Sequence, residues 1–579
     1  MASKRPSAPG VIAAATAAVL LSAVLAVALG GGAASASSSQ AAQAKPNILV
    51  VMTDDQTVES LRVMGNVQTL LARQGTSFEN SFASFPLCCP SRATYVTGQY
   101  GHNHTIMGNM APAGGYDKLA PTHGNTLPAW LQRAGYVTVH VGKYLNGYGR
   151  ARPNEVPAGW SEWYGSIDPS TYRFYNYTLN ENGRLVTYGT GAANYQADVY
   201  SRKATELIRR LAPAAQPFFL SVAFLAPHSG GPRDPDDPAN LATPSPAPRH
   251  RNRFASEPLP TPPSFNEADV SDKPAAIRNR PLIGPVRRNA IRENYQQRLE
   301  SLLAVDEAVR DIVAALETSG ELNRTLILFT ADNGFFHGEH RVQTGKLLVY
   351  EPSVRVPLIL RGPGVPRGAR RPNLVANVDL AATILDAANA APGRRLDGRS
   401  LLPLARDPLV RSGRDILLET QSYSAIRTPR HVFVQHSTGE QELYDLATDS
   451  QQLQSLHADP RYTALKNDLA ARLARLRTCA GDACRRGPDA RLSVLYRRGP
   501  RGCARSNVGL RVAGSAASRI ASVSFYRGGR VFKRDSRAPF TASVSRRRLG
   551  TRRATSLRAV VTLRDSRSAS LDRALRRCA

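Results

Sequence analysis

The sequence predicts an α/β fold with a mostly parallel central sheet covered by helices on both faces, and three observations predict it. Four segments are near-continuous runs of β-branched and aromatic residues, as in strands buried on both sides. Helix-like stretches lie between them, the alternation that builds parallel sheets. After about Arg485 the pattern changes to short alternating runs with Gly and Pro punctuation, which predicts a separate small β-sandwich-like module. The 579 residues are 42% hydrophobic and 21% charged, which excludes both a disordered polymer and a multi-span membrane protein.

In chain order, Lys4 and Arg5 precede an uncharged Ala-rich run from Val11 to about Leu29 and then small residues, so residues 1–44 predict a secretory signal. Ala34-Ser35-Ala36 and Ala42-Gln43-Ala44 offer cleavage steps, with an uncleaved anchor as the rival. Either way the chain is expected to be secreted or extracytoplasmic. The four strands are Asn47 to Thr53, Tyr136 to Val141, Pro217 to Phe224 and Thr325 to Thr330. Between them, Thr126 to Ala134 reads as a helix, and Leu299 to Leu316 gathers its apolar positions on one helical face. These elements place a core at 45–370. Pro and Arg crowd residues 232–288 within it, predicting a long surface insertion. In the last segment, 485–579, strands are expected at Ile520 to Tyr526, Val531-Phe532 and Leu557 to Leu563.

Charge and cysteine usage refine this outline. Basic residues outnumber acidic ones 75 to 45, and residues 491–579 alone hold 23 Lys/Arg against 3 Asp/Glu. Lys533 is the single lysine of those 23, which reads as an arginine bias as readily as a polyanion site. Six cysteines are too few for a disulfide scaffold in an exported chain of this length. Cys479 with Cys484, and Cys503 with Cys578, are expected to form two local disulfides, the second tying the first and last strands of the tail. Cys88 and Cys89 remain, and an adjacent pair rarely bonds to itself.

The residues at the end of each strand carry the chemistry. The four blocks are Asp54-Asp55-Gln56, Gly142-Lys143, Ala226-Pro227-His228 and Ala331-Asp332-Asn333-Gly334. In open α/β sheets ligands bind beyond the carboxyl ends of the strands, so these blocks are expected to meet. Alone, paired aspartates are often turn formers and a single histidine is often structural. Together they supply three carboxylates and an amide for a hard cation, a lysine for an anion and a histidine for proton transfer.

Cys88-Cys89-Pro90-Ser91-Arg92, with Thr97-Gly98 downstream, matches the pattern C-x-P-S-R, and in this the chain resembles the sulfatase family. The resemblance implies an alkaline phosphatase-like fold and conversion of Cys88 to formylglycine by a formylglycine-generating enzyme. It implies Arg92 as the residue steadying the nucleophile. Asp54, Asp55, Asp332, Asn333 and modified Cys88 match the family's Ca²⁺ ligands, with Mg²⁺ as the other hard cation. Lys143, His228 and Lys346, in the T-G-K after D-N-G-F-F-H-G-E-H-R, match residues that grip the sulfate and protonate the leaving oxygen. Glu442-Leu443-Tyr444-Asp445-Leu446 is similar to the smaller C-terminal sulfatase subdomain, expected at 371–484.

One position departs from many arylsulfatases: Leu145 stands where they carry a histidine, and His102 or His104 is the candidate to replace it. G-K-Y-L-N and C-C-P-S-R instead resemble the N-acetylglucosamine-6-sulfatases and extracellular glucosamine 6-sulfatases, as do Gly101-His102-Asn103-His104 and Gly159-Trp160-Ser161-Glu162-Trp163. The expectation is therefore a secreted sulfuric ester hydrolase acting on a sulfated carbohydrate, most simply the 6-O-sulfate of glucosamine units. An arylsulfatase or a phosphonate or phosphate ester hydrolase is the alternative within the superfamily, and an inactive glycan-binding protein the alternative outside it. The Arg-rich tail is expected to contact an anionic glycan or the cell envelope, and no nucleic-acid partner is expected.

Overall fold

The computed structural model of the protein describes residues 45–579. The predicted signal lies outside the described residues. Ten strands form the main sheet: β1 (Asn47–Thr53), β2 (Thr76–Phe82), β3 (Val137–Gly142), β4 (Glu162–Ser166), β5 (Tyr177–Glu181), β6 (Arg184–Tyr188), β7 (Phe218–Ala223), β8 (Thr325–Ala331), β9 (Leu358–Arg361) and β10 (Ala369–Ala376). Their order is β10-β2-β9-β8-β1-β7-β3-β4-β5-β6, with β8, β1, β7, β3 and β4 running parallel in the centre. The four strands read from sequence are β1, β3, β7 and β8, and they occupy this centre. The flanks are antiparallel where β9 meets β2 and β8, and where β5 meets β4 and β6.

Because side chains alternate along a strand, β1 feeds two separate cores. Leu49 and Val51 face a layer that includes helices Gln196–Leu211 and Pro285–Thr318. Ile48, Val50 and Met52 face a layer that includes Cys88–Thr97, Leu127–Arg133 and Asp379–Ala388. The amphipathic stretch from Leu299 is the second part of the 34-residue helix Pro285–Thr318. The insertion placed at 232–288 thus ends within that helix. It is also less superficial than its composition implies. Ile277 and Ile283 are buried, and buried Lys273 pairs with Glu267 at 3.1 Å, whose carboxylate is 2.6 Å from His340 Nδ1.

Past the main sheet, β11 (Ile416–Glu419), β12 (Tyr423–Arg427), β13 (His431–His436) and β14 (Gln441–Asp445) form an antiparallel sheet in that order, packed with helix Thr463–Leu476. The last segment has two facing sheets around its own core. One contains β15 (Arg491–Leu495), β16 (Val508–Ala513) and β19 (Thr541–Val544). The other contains β17 (Ile520–Arg527), β18 (Arg530–Asp535), β20 (Thr555–Leu563) and β21 (Ser568–Leu575). Both expected disulfides are present: Cys479–Cys484, and Cys503–Cys578 across 75 residues. Cys503 sits between β15 and β16 rather than within the first strand, so the second bond joins that connection to the segment after β21. Arg567 reaches back to Asp415 at 3.4 Å and Arg558 to Asp407 at 2.6 Å, tying this segment to the preceding sheet.

Candidate active site

The carboxyl ends of β1, β3 and β8, the turn after β7 and the start of helix Cys88–Thr97 meet at one place. Asp54 and Asp55 leave β1, and Asp55 turns the chain in the left-handed region with φ of 65°. Aspartate tolerates this conformation better than most residues because its short side chain bonds locally. Asp55 and Asn333 are then held together through the Asp332 Oδ1 atom, which accepts the Asp55 amide at 3.0 Å and the Asn333 amide at 2.8 Å. Ser91 Oγ donates to the Asp332 carbonyl and accepts from Asn377 Nδ2 at 2.9 Å, linking the helix to the β8 end.

Arg92 is the hub. Its Nε donates to Asp332 Oδ2 at 2.8 Å, one Nη to Asp54 Oδ2 at 3.2 Å, and the other to the Lys143 carbonyl at 2.8 Å. Lys143 pairs with Asp54, and Lys346 pairs with Asp55 while standing 2.9 Å from Cys88 Sγ. Cys88 Sγ is in turn 3.5 Å from Asp54 Oδ1. Three carboxylates are thereby matched by three cations in a region almost closed to water. Burial would raise the Asp54 carboxyl, but Lys143, His228, Arg92 and Lys346 outweigh it and hold the group well below the usual range. Asp55 is lowered against the same burial, chiefly by Lys346. Asp332 goes the other way, raised by burial and by Asp54 despite Arg92.

Cys88 is fully buried, and burial together with Asp54 pushes its thiol up to about 12 in spite of the two lysines. An unmodified thiol here stays protonated at neutral pH and is a poor nucleophile. The residue opens helix Cys88–Thr97, where the aligned peptide dipoles favour negative charge. Cys89 is buried too, within the apolar layer under the sheet.

His228 Nε2 lies 3.7 Å from Asp55 Oδ2, and its Nδ1 is 2.7 Å from the Ser229 carbonyl. A carbonyl only accepts, so Nδ1 carries the proton and Nε2 of the neutral ring faces the site. Burial lowers its pKa to about 4 against the pull of Asp55 and Asp54, with Lys143 and Lys346 adding to the depression.

Ligand atoms of Asp54, Asp55, Cys88 and His228 all lie within 4.8 Å of one another, close enough to hold a metal ion. Asn333 adds a further donor: its Nδ2 bonds Asp55 Oδ1 at 2.6 Å, while its buried Oδ1 has no hydrogen-bond partner. An unpaired buried amide oxygen is costly, and it is a ligand that a hard divalent cation accepts. The carboxylate and amide oxygens fit such a cation; the thiol, a softer donor, does not unless oxygen replaces sulfur.

Two residues of this constellation were not read from sequence. Arg298, on the long helix, donates to the Asp55 carbonyl and stacks over Phe335 at 3.8 Å, behind the aspartates. Tyr172 lies under Lys143 with 4.7 Å from ammonium to ring centroid and packs at 5.1 Å against His228. Its hydroxyl accepts from Asn146 in G-K-Y-L-N. Leu145 itself points into the apolar layer. Neither histidine proposed to replace it comes to the site. His102 spends its nitrogens on Glu419 at 3.0 Å and the Cys479 carbonyl at 2.9 Å. His104 bridges the Thr94 hydroxyl at 2.9 Å and the Ile106 amide at 3.0 Å. Both therefore brace the turn after the Cys88 helix.

Residues 46–390 match the sulfatase family profile. The chain belongs to the sulfatase family. Residues 338–479 of this sulfatase also match the C-terminal region of N-sulphoglucosamine sulphohydrolase. The enzyme is 33% identical over 498 residues to an arylsulfatase of Volvox carteri, covering 76% of each chain. It is 33% identical over 393 residues to the human N-acetylglucosamine-6-sulfatase, covering 65% of this chain and 67% of that one. A Drosophila melanogaster extracellular sulfatase SULF-1 homolog is 34% identical over 367 residues, and the match spans 31% of its length. Among solved structures, that of BT4656 in complex with D-glucosamine-2-N,6-O-disulfate superposes with a TM-score of 0.61 at 23% identity, covering 74% of this chain and 97% of that one. A phosphonate monoester hydrolase of Agrobacterium radiobacter shares the fold at a TM-score of 0.53 and 22% identity. The sulfatase is thus a sulfuric ester hydrolase. Among the described residues no helix is long and apolar enough to cross a membrane.

Proposed function

We propose that this sulfatase is secreted and removes the 6-O-sulfate of N-acetylglucosamine or glucosamine units, with Cys88 converted to formylglycine and Ca²⁺ on the aspartate and Asn333 oxygens. The observation that carries the reading is the contact set around Cys88: Lys346 at 2.9 Å, Asp54 at 3.5 Å, and a helix start beneath. The high-pKa thiol is not itself a usable nucleophile. Hydrated formylglycine supplies two hydroxyls on one carbon, one to attack sulfur and the other to expel sulfate as the carbonyl re-forms. A hard divalent cation polarises sulfate oxygens and stabilises the charge that builds on them.

The chain's own groups do the rest. Arg92 fixes Asp54 and Asp332. Lys143 and Lys346, the ammonium groups beside Asp54 and Asp55, would donate to the sulfate oxygens. His228 presents Nε2 toward the leaving oxygen, and the negative charge of a bound sulfate ester favours its protonated form. Tyr172 packs against both Lys143 and His228. His228→Ala is expected to lower kcat on a sugar sulfate by about 10² to 10⁴. The loss should be much smaller on an aryl sulfate, whose leaving group needs no proton; equal losses on the two esters would remove His228 from the acid role.

The glucosamine preference draws support from relatives named N-acetylglucosamine-6-sulfatase and extracellular sulfatase, and from the motifs around Lys143 and Cys88. A second reading, arylsulfatase, is favoured by the Volvox carteri relative. A panel of position-defined sulfated sugars beside a simple aryl sulfate separates them. Glucosamine 6-sulfate is expected to give the highest kcat/KM, and a clear preference for the aryl ester would reverse the assignment. A formylglycine-generating enzyme is the maturation partner this reading needs, and the Arg-rich segment 485–579 is assigned to contact with an anionic glycan or the cell envelope.

A further inference from the structure

The module at 485–579 lies beyond both family matches, the second of which ends at residue 479, and its fold sorts its charges. Four arginines lie in the connection from β15 to β16 (496–507) and five in that from β19 to β20 (545–554). The turn from β17 to β18 (527–530) and the segment after β21 (576–579) add two each, and none of the four segments contains an acidic residue. Strand register brings them to one end of the module: Leu495 pairs with Gly509, Val508 with Val544, Arg527 with Leu557, and Leu557 with Arg573. The Cys503–Cys578 disulfide fastens this end. The Ala504 amide donates to the Arg576 carbonyl at 2.8 Å, the Arg577 amide to the Gly550 carbonyl at 3.0 Å, and Arg546 Nη2 to the Cys578 carbonyl at 2.9 Å.

Acidic residues stand at the opposite end. Asp489 precedes β15, Asp535 closes β18 and Asp565 follows β20. That end meets the preceding subdomain, where Asp565 pairs with Arg472 at 3.2 Å and Arg567 with Asp415 at 3.4 Å. Among the described residues, no arginine of the four segments pairs with an acid, and no hydrogen bond joins these segments to residues before 485. Arg497, Arg498, Arg547, Arg548, Arg552 and Arg553 are exposed.

An arginine bias explains guanidinium in place of ammonium, but not this separation of bases from acids. Like charges crowded at one end destabilise the module through self-repulsion, which a polyanion relieves. The planar guanidinium fork pairs with sulfate or carboxylate oxygens two at a time. A bilayer fits less well, because membrane binding draws on buried apolar area as well as charge. Leu549, the one large apolar residue of 545–554, is 3% exposed. Leu495 and Val531 are exposed but belong to different sheets, so they form no common apolar patch.

We propose that the arginine end of this module is a docking surface for an anionic polysaccharide, which it grips through sulfate or carboxylate groups at a place separate from the catalytic centre. The proposal rests on the assignment of this segment given above and narrows it to one surface and one partner.

The test uses the full mature enzyme, heparin as the polysaccharide probe, and vesicles containing phosphatidylserine. Arg547→Gln, Arg548→Gln, Arg552→Gln and Arg553→Gln combined are expected to weaken heparin binding about tenfold or more at about 0.15 M salt. The variant should keep the parent's kcat/KM on a small sulfate ester. Arg184, Arg253, Arg475 and Arg477, also exposed, supply a control of equal charge, and their combined change to Gln should alter binding less than twofold. Equal losses in the two variants would reduce the effect to net charge and overturn the surface. A parent that binds the vesicles more tightly than heparin would overturn the choice of partner, and one that does not bind heparin would overturn the proposal while leaving hydrolysis of sugar sulfates untouched. Heparin binding that depends on these arginines, in an enzyme that hydrolyses no sugar sulfate, would support the surface and overturn the glucosamine reading instead.

Discussion

Cys88→Ala is expected to reduce kcat by a factor on the order of 10⁴ or more, since removing the nucleophile of a covalent mechanism leaves only binding and charge stabilisation. The fold should survive. Cys88 is buried, but its loss deletes one sulfur atom and leaves Arg92, Asp54 and Asp332 bonded to one another, so near-native melting is the expected control. Cys89→Ala separates chemistry from packing: its sulfur belongs to the apolar layer, so it should cost about 1 kcal/mol and leave turnover intact. Peptide mass spectrometry of active protein should find the aldehyde at 88 and an ordinary thiol at 89. Full activity in Cys88→Ala, or an unmodified Cys88 in fully active enzyme, would sink the nucleophile assignment.

Arg92→Met should have the largest effect on stability of any single change at the site. The guanidinium is 3% exposed and is shared between two buried carboxylates and the Lys143 carbonyl. Methionine fills the volume but strands Asp54 and Asp332 without their common partner. Breaking a buried pair in this way costs about 3 to 5 kcal/mol, a substantial part of the total stability of an ordinary domain. Arg92→Lys should not restore it, because one ammonium cannot span three acceptors that a planar fork reaches. The measurement is melting temperature together with kcat on an aryl sulfate. A variant that melts like the parent and turns over normally would show that the lysines alone balance these aspartates.

The sequence made the middle of the main sheet legible because strands covered on both faces must be apolar along their whole length, as Asn47–Thr53 and Thr325–Ala331 are. The flanks were not legible for the same reason. β6 is exposed at Arg184, Leu185 and Thr187, and β2 is polar at every position except Phe78 and Phe82, so neither differs locally from a loop or a helix edge. At the site, the four strand ends pointed to Asp54, Asp55, Lys143, His228 and Asp332, whereas Arg92 and Lys346 came from the family resemblance, and the support of these groups came from places with no local signal. Arg298 sits in a helix among Gln296, Gln297 and Glu300, where an arginine reads as a solvated charge. Only its position on the inner face, one residue before buried Leu299, hints otherwise. Tyr172 lies in a run of tyrosines at 172, 175 and 177, and nothing but the fold selects the one that lies under Lys143. His102 and His104 show the opposite failure: chemically suitable residues close in sequence to Cys88, diverted by Glu419 and Thr94.

Enclosure of residue 88 also sets a schedule. The thiol is walled in by groups that the ribosome supplies late: Asp332 arrives 244 residues after it and Lys346 a further 14. Any catalyst that alters this side chain must meet it while the polypeptide is still incomplete or open, before β8 docks against β1 and shuts off access. Molecules that close too early would be sealed with an inert sulfur and no route back short of unfolding. If residue 88 is converted as proposed, the yield of competent enzyme would be decided by a race between folding and maturation, and slowing chain collapse should raise the active fraction without altering any catalytic group.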